Sequence, residues 1–388
     1  MLVIPEEIKQ LYQQDSIPKT LTINFYPVGT YKIHPMATLL PNSKLYPNSK
    51  GTPVFSISDK QIMSETMLIT EGLFTGDTIN FRSCFSSKCS LTILDVETDV
   101  YDYDMEIIQE IGGQKVPLFT GTVDEAKRRD DKVNLVAYDY LYYNYGDDMT
   151  AWYNGLSFPM TVKAFRLALY DACNIPFEEI ELVNDEMVLE KAELSGTVTG
   201  RDFLAMIGEL NGVFVHVNRS NALTYVMLQG ISYIYPNSDL YPQKLYPGIQ
   251  TGIDTVERIK SYISCEHEQY KTKDIDKVVS EGTVVLSAGT GSNAYVMKDN
   301  ILFESVTESK RQTAIENLYL MIRGLPYVPH RTEIQGRPYV EVGDVVNIKT
   351  KRTAFDTYVF TRTLKGVKAL RDTYEAAGEE YHNTAYAV

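Results

Sequence analysis

The chain is poor in the residues that do most cofactor-free or metal-based chemistry. Four cysteines and five histidines are spread through 388 residues, with a single tryptophan. Cys84, Cys89, Cys173 and Cys265 lack the dense spacing of a small disulfide scaffold. Cations are also scarce, with 37 Lys and Arg against 51 Asp and Glu and a net charge of −14. The longest basic run is Lys127-Arg128-Arg129, too little to displace the counterions of a DNA duplex, which argues against sequence-specific DNA binding. No stretch approaches 18 consecutive apolar residues, so no membrane span is expected. The N-terminus, MLVIPEEIKQLYQQ, lacks the basic and apolar regions of a signal peptide, and folding in a reducing cytoplasm is expected.

Catalytic motifs are missing too. There is no Walker A loop, no HExxH and no GxSxG. Ser287–Asn293 (SAGTGSN) has spaced glycines but no helix after them to complete a phosphate cradle, and reads as a hairpin loop. Cys84, Cys89, Cys265 and His267 could supply four zinc ligands, but their spacing is not that of zinc knuckles. The pairs Glu178-Glu179 and Asp147-Asp148 carry no meaning without a cleft. The expectation is no catalytic residue, no metal and no cofactor.

What the chain does have is tyrosine, 28 of them, suiting half-buried strands or extensive interfaces. Its apolar fraction of 44% and its length allow two or three domains with sizeable cores. Residues 1–150 begin with a short helix (PEEIKQLYQQ) and become firmly β. Gly112-Gly113-Gln114 predicts a hairpin turn and Pro117 an edge or a bulge, while Val133, Leu135 and Ala137 alternate like one buried strand face. Residues 151–230 read as an α+β unit. One helix carries a Val162, Phe165, Leu169, Cys173 stripe; another is opened by a Thr199/Asp202 capping box and closed by Gly212. His216, between Val215 and Val217, is expected at the surface or hydrogen-bonded. Residues 231–375 return to β around one helix, with Ser305 and Glu308 as its capping box and an Ile315, Leu318, Ile322 stripe. The tail, LRDTYEAAGEEYHNTAYAV, reads as a short polar helix whose last residues, 376–388, fray.

One phrase is spelled twice. Pro-Asn-Ser-x-Leu-Tyr-Pro occupies Pro41 to Pro47 and again Pro236 to Pro242, 195 residues apart, before each β run. Each copy predicts a turn followed by an extended Tyr-Pro pair. The offset points to a duplicated architecture, with Tyr46, Pro47, Tyr241 and Pro242 as candidate interface residues on exposed arms.

Three segments carry a family resemblance. GRDFLAMIGELNGVFVHVNRSNALTYV resembles the central domain of phage tail hub proteins. GRPYVEVGDVVNIKT with DTYVFTRTLKGVKALRDTYEAAGEEY resembles the family's closing segment, and KVNLVAYDYLYYN is similar to the strand ending its first barrel. The resemblance covers most of residues 60–380, by phrases and block order rather than by an invariant motif. It implies a mainly β chain with an α+β insert: two tail-tube-like β-barrels and a small middle domain. It further implies a homotrimer forming a pseudo-sixfold ring at a virion tail tip, assembled in the bacterial host cytoplasm. Its partners would be the distal tail protein, the tape measure protein and tail fibre or receptor-binding proteins, with DNA passing through unbound. Many members append a peptidase or cell-wall hydrolase after the hub; this sequence stops where the hub segment ends, so an enzymatic role is not expected. The rival readings are a cell-wall hydrolase with a Cys–His or carboxylate site, and a glycan- or receptor-binding tail protein using tyrosine platforms.

Overall fold

The computed structural model describes residues 1–14, 18–27, 52–143, 145–228, 256–282 and 285–382. Both copies of the repeated phrase, and with them Tyr46, Pro47, Tyr241 and Pro242, lie outside the described residues.

Helix α1 (Glu6–Tyr12) follows Pro5, and buries Ile8 and Tyr12, one turn apart. Strand β1 (Lys19–Pro27) turns Leu21, Ile23 and Phe25 inward on a period of two. It pairs antiparallel with β2 (Phe55–Ser58). Then come β3 (Leu68–Gly72), β4 (Lys88–Leu94), β5 (Tyr103–Ile111), β6 (Gln114–Arg129) and β7 (Lys132–Tyr138). The expected β5–β6 turn is a two-residue loop, Gly112 and Gly113, at φ of 56° and 77°. Both angles lie in the left-handed region that glycine enters at the least cost. Pro117 stands at a bulge: Ile107 pairs with Phe119 and Ile108 with Pro117, leaving Leu118 over. Val133, Leu135 and Ala137 form the buried face of β7.

The middle of the chain holds α2 (Tyr140–Tyr143), α3 (Thr150–Gly155), β8 (Met160–Thr161), α4 (Val162–Cys173), β9 (Val188–Leu189), α5 (Gly200–Asn211), β10 (Phe214–Val217) and β11 (Leu223–Val226). The α4 stripe is buried throughout. The α5 capping box forms in both directions: Asp202 N–H donates to Thr199 Oγ1 at 3.2 Å and Thr199 N–H to Asp202 Oδ2 at 2.9 Å. Gly212 ends the helix at φ 65°. His216 lies inside rather than at the surface. It is buried at 7% exposure, its Nδ1 finds no hydrogen-bond partner among the described residues, and burial pushes its pKa down.

The last part contains β12 (Glu257–Ile259), β13 (Ser264–His267), β14 (Lys277–Glu281), β15 (Leu286–Gly289), β16 (Ala294–Lys298), α6 (Ile301–Ser305), α7 (Glu308–Ile322), β17 (His330–Gln335), β18 (Val345–Lys349), β19 (Ala354–Tyr358), β20 (Thr361–Lys365) and β21 (Arg371–Ala376). Three expectations are corrected. Ser305 does not cap α7: it ends α6, donating from Oγ to the Ile301 carbonyl at 2.6 Å. Ser287–Asn293 is not a hairpin loop, because β15 and β16 flank β14 on opposite sides, and Asp276 grips the loop through Asn293 N at 2.7 Å. The tail is not a helix at its start. Arg371–Ala376 is a strand inside the main sheet, with Asp372, Tyr374 and Ala376 facing in.

The main sheet has eleven strands in the order β13-β17-β21-β20-β3-β4-β7-β6-β5-β1-β2. The β20–β3 seam runs antiparallel from Thr361↔Gly72 to Lys365↔Leu68 and joins strands almost 300 residues apart in sequence into one hydrogen-bonded surface. Two apolar cores result. One combines residues from α1 and β1–β7 with Ile334, Ile348, Leu364 and Tyr374 of the last strands. The other combines α4, α5, β10 and β11 with β14, β16, α6 and α7.

Candidate functional site: a buried ionic junction

The most concentrated polar chemistry lies where the seam, the β10–β11 turn and the closing strands meet. Glu71 on β3 faces Arg362 directly across the seam, in register, with Arg362 Nη1 2.8 Å from Glu71 Oε2. From the β10–β11 turn, Arg219 closes on the same carboxylate with Nε and Nη2, both at 3.1 Å. On the far side, Arg362 Nη2 stands 2.9 Å from Asp372 Oδ1, and Asp372 Oδ2 accepts the Arg337 backbone N–H at 2.6 Å. Arg337 pairs in turn with Glu257, which also accepts Tyr339 O–H at 2.9 Å. Arg219 spans furthest: its guanidinium also donates to the Pro338 and Val340 carbonyls, while its own carbonyl accepts Thr120 O–H of β6.

Three cations and three carboxylates thus interlock, and none of the six exceeds 9% exposure. Burial alone pushes the Glu71 carboxyl up, but Arg219 and Arg362 overcome this and hold it at about 2. Arg362 stays protonated against its own burial because Asp372 and Glu71 flank it. The junction fixes five separate stretches of chain, β3, the 219 turn, β12, β20–β21 and residues 337–340, at one point.

The residues singled out for chemistry are dispersed. Cys84 bridges to Val215, Cys89 faces Ala137 across β4 and β7, and Cys173 ends α4. Burial pushes the Cys84 and Cys173 thiols up to about 12 and raises Cys89 further, opposite to the depressed pKa of a nucleophilic thiol. Cys265 accepts a hydrogen bond from Thr332 Oγ1 at 3.3 Å, and that hydroxyl, not the thiol, stands 3.0 Å from His330 Nδ1. Burial lowers His330 to about 4, leaving it neutral at pH 7. His267 lies against Phe355, with ring centroids 4.9 Å apart. Among the described residues no group of three or more His, Cys, Asp or Glu is arranged to hold a metal. Glu178 braces Asn218 and Thr224, at 2.7 and 2.8 Å, and Asp148 caps the Thr150 N–H at 2.8 Å, so both paired-carboxylate candidates have structural bonds. Among the described residues no helix is long and apolar enough to cross a membrane.

The sequence reading missed Glu71, Arg362 and Asp372. Each shares the inward register of its strand with an apolar residue two positions away, Ile69, Leu364 and Tyr374, yet the charge makes LITEG, TRTLK and RDTYEA resemble solvated segments unless the partner strand is known.

A mainly β chain with large antiparallel pairing around an α+β middle is the class these observations define. It is a fold seen in phage tail proteins. The tail protein from Neisseria meningitidis MC58 superposes with a TM-score of 0.50 at 11% identity, over 84% of this chain and 95% of that one. The 43 kDa tail protein of prophage MuSo2 from Shewanella oneidensis matches at TM-score 0.46 and 9% identity, over 83% and 95%. A chain of the p2 virion baseplate in its activated conformation matches at 0.33 and 12%, over 92% and 99%. No family model matches the sequence, and no curated protein does.

Proposed function

We propose that the protein is a structural hub of a phage or prophage tail tip or baseplate. In this reading residues 1–150 and 231–375 supply two tube-like β-barrel units separated by the 151–230 domain. Three chains close a pseudo-sixfold ring that continues the tail tube. The ring attaches to the distal tail protein and passes the tape measure protein and then DNA. The observation that carries it is the shared fold with the Neisseria tail protein over most of this chain and nearly all of that one. The buried junction supports it physically. A ring that transmits receptor engagement has to move as a rigid body, and a continuous sheet locked by interlocking ion pairs resists internal hinging. The net charge of −14 suits a conduit along which nucleic acid slides without adhering.

The test is the mass and shape of the purified protein. Light scattering near three times 44.0 kDa, with a threefold ring and central hole in electron micrographs, is the expected result. A monomer that stays monomeric at high concentration and beside the distal tail protein refutes the hub. Release of dye from labelled cell walls, abolished by Cys265→Ala, would support a hydrolase instead.

A further inference from the structure

In a strongly acidic chain, a cleft among the described residues is lined by more cations than carboxylates. This cleft of about 410 Å³ opens between the N-terminal arm, which contributes Glu6 and Tyr12, and the stretch running through β12, with Arg337 from the buried junction on its wall. Arg258 and Lys260 line it. Ile259 between them is fully buried, so the two cations project to the opposite side of an extended segment and are both exposed. That alternation sets them roughly 7 Å apart. Neither has a carboxylate partner among the described residues. Behind the aromatic wall, Lys19 stands over the Tyr12 ring at 5.2 Å and Lys9 over the Tyr339 ring at 5.7 Å. The compensating acids are Glu257, taken by Arg337, and Glu6, 3.8 Å from Lys9. Arg258, Lys260 and Lys19 are left over.

We infer that this cleft docks an extended acidic segment of a partner polypeptide, one with Asp or Glu at alternate positions. The spacing carries the argument. Side chains two apart on an extended peptide repeat at the same roughly 7 Å as Arg258 and Lys260, so two carboxylates meet two cations in register. A single small anion is a poorer match, because the two free cations lie side by side along the segment and the Arg337 guanidinium is already committed to Glu257. The volume falls within the range of roughly 300–1,000 Å³ typical of ligand sites. The inference stands on the cleft alone and does not depend on the tail assignment.

The experiment uses the full chain and a fluorescein-labelled peptide of alternating Glu and Thr, followed by anisotropy at low ionic strength. The expected result is saturable binding that weakens as salt is added and falls by roughly tenfold or more in Arg258→Glu/Lys260→Glu. Because both side chains are exposed, the melting temperature of that variant should match the parent. Inorganic phosphate at equal total charge should not displace the peptide. No saturable binding, equal binding by the double variant, or equal displacement by phosphate would each overturn the docking site.

Discussion

At the scale of single residues, stability is concentrated in charges that have no access to water. Arg362 is fully buried between Glu71 and Asp372, so removing its guanidinium leaves Asp372 without its main counter-charge and Glu71 with Arg219 alone. Arg362→Met should therefore destabilise the protein at pH 7 by about 3–5 kcal/mol, read from denaturant unfolding. Replacing Arg362 and Asp372 together by apolar residues, with Glu71 left to Arg219, should recover much of that loss, which a purely steric role for Arg362 would not allow. Glu209 behaves differently. Burial lifts its carboxyl to about 7 against hydrogen bonds from Asn300 Nδ2 at 2.9 Å and Tyr295 O–H at 3.0 Å. A raised folded pKa contributes stability that is whole below the unfolded value of 4.5 and is lost as pH rises through about 7. Unfolding free energy should fall by up to about 3 kcal/mol from this group between pH 5 and 8, and Glu209→Gln should flatten that slope. Asp139, lifted by burial to about 6, acts in the same direction and remains in the variant. An unchanged slope in Glu209→Gln would place the titration elsewhere.

At the scale of elements, local signals worked wherever the chain closed its own hydrogen bonds. The Gly112-Gly113 turn, the bulge at Pro117, the α4 stripe and the Thr199/Asp202 box all follow from contacts within a few residues. Thr199→Ala removes both the cap to Asp202 N–H and the hydroxyl contact to Asp202 Oδ2, and should lower stability by about 1 kcal/mol in thermal or urea unfolding. Local signals failed at Ser305 and at the tail, as they did at the Ser287–Asn293 loop. Ser305 has the capping spacing, but α6 ends on it and spends its hydroxyl on Ile301. Glu375-Ala376-Ala377 has helical composition, but β20 and β17 offer hydrogen bonds on both sides of residues 371–376, and two strand partners override propensity.

At the scale of the whole molecule, the sequence presents β, α+β and β runs in order, whereas the structure pools them. The seam makes one sheet of the first and last runs, and α7 packs with α5 in the second core, where a Cβ at Gly212 would meet Ile322 at 2.6 Å. The ionic junction sits at the meeting point of these units and ties them together.

The sequence by itself determined the class of the protein. Period-two and period-3.6 patterns, glycine turns and caps, which set its fold class, are properties of neighbouring residues, and physics acts on them before any fold exists. Only the tertiary structure decided what the polar residues inside the strands are for. Whether Glu71, Arg362 or Asp372 faces solvent or a counter-charge depends on which distant strand lies alongside. That pairing is set by long-range burial that no local window contains.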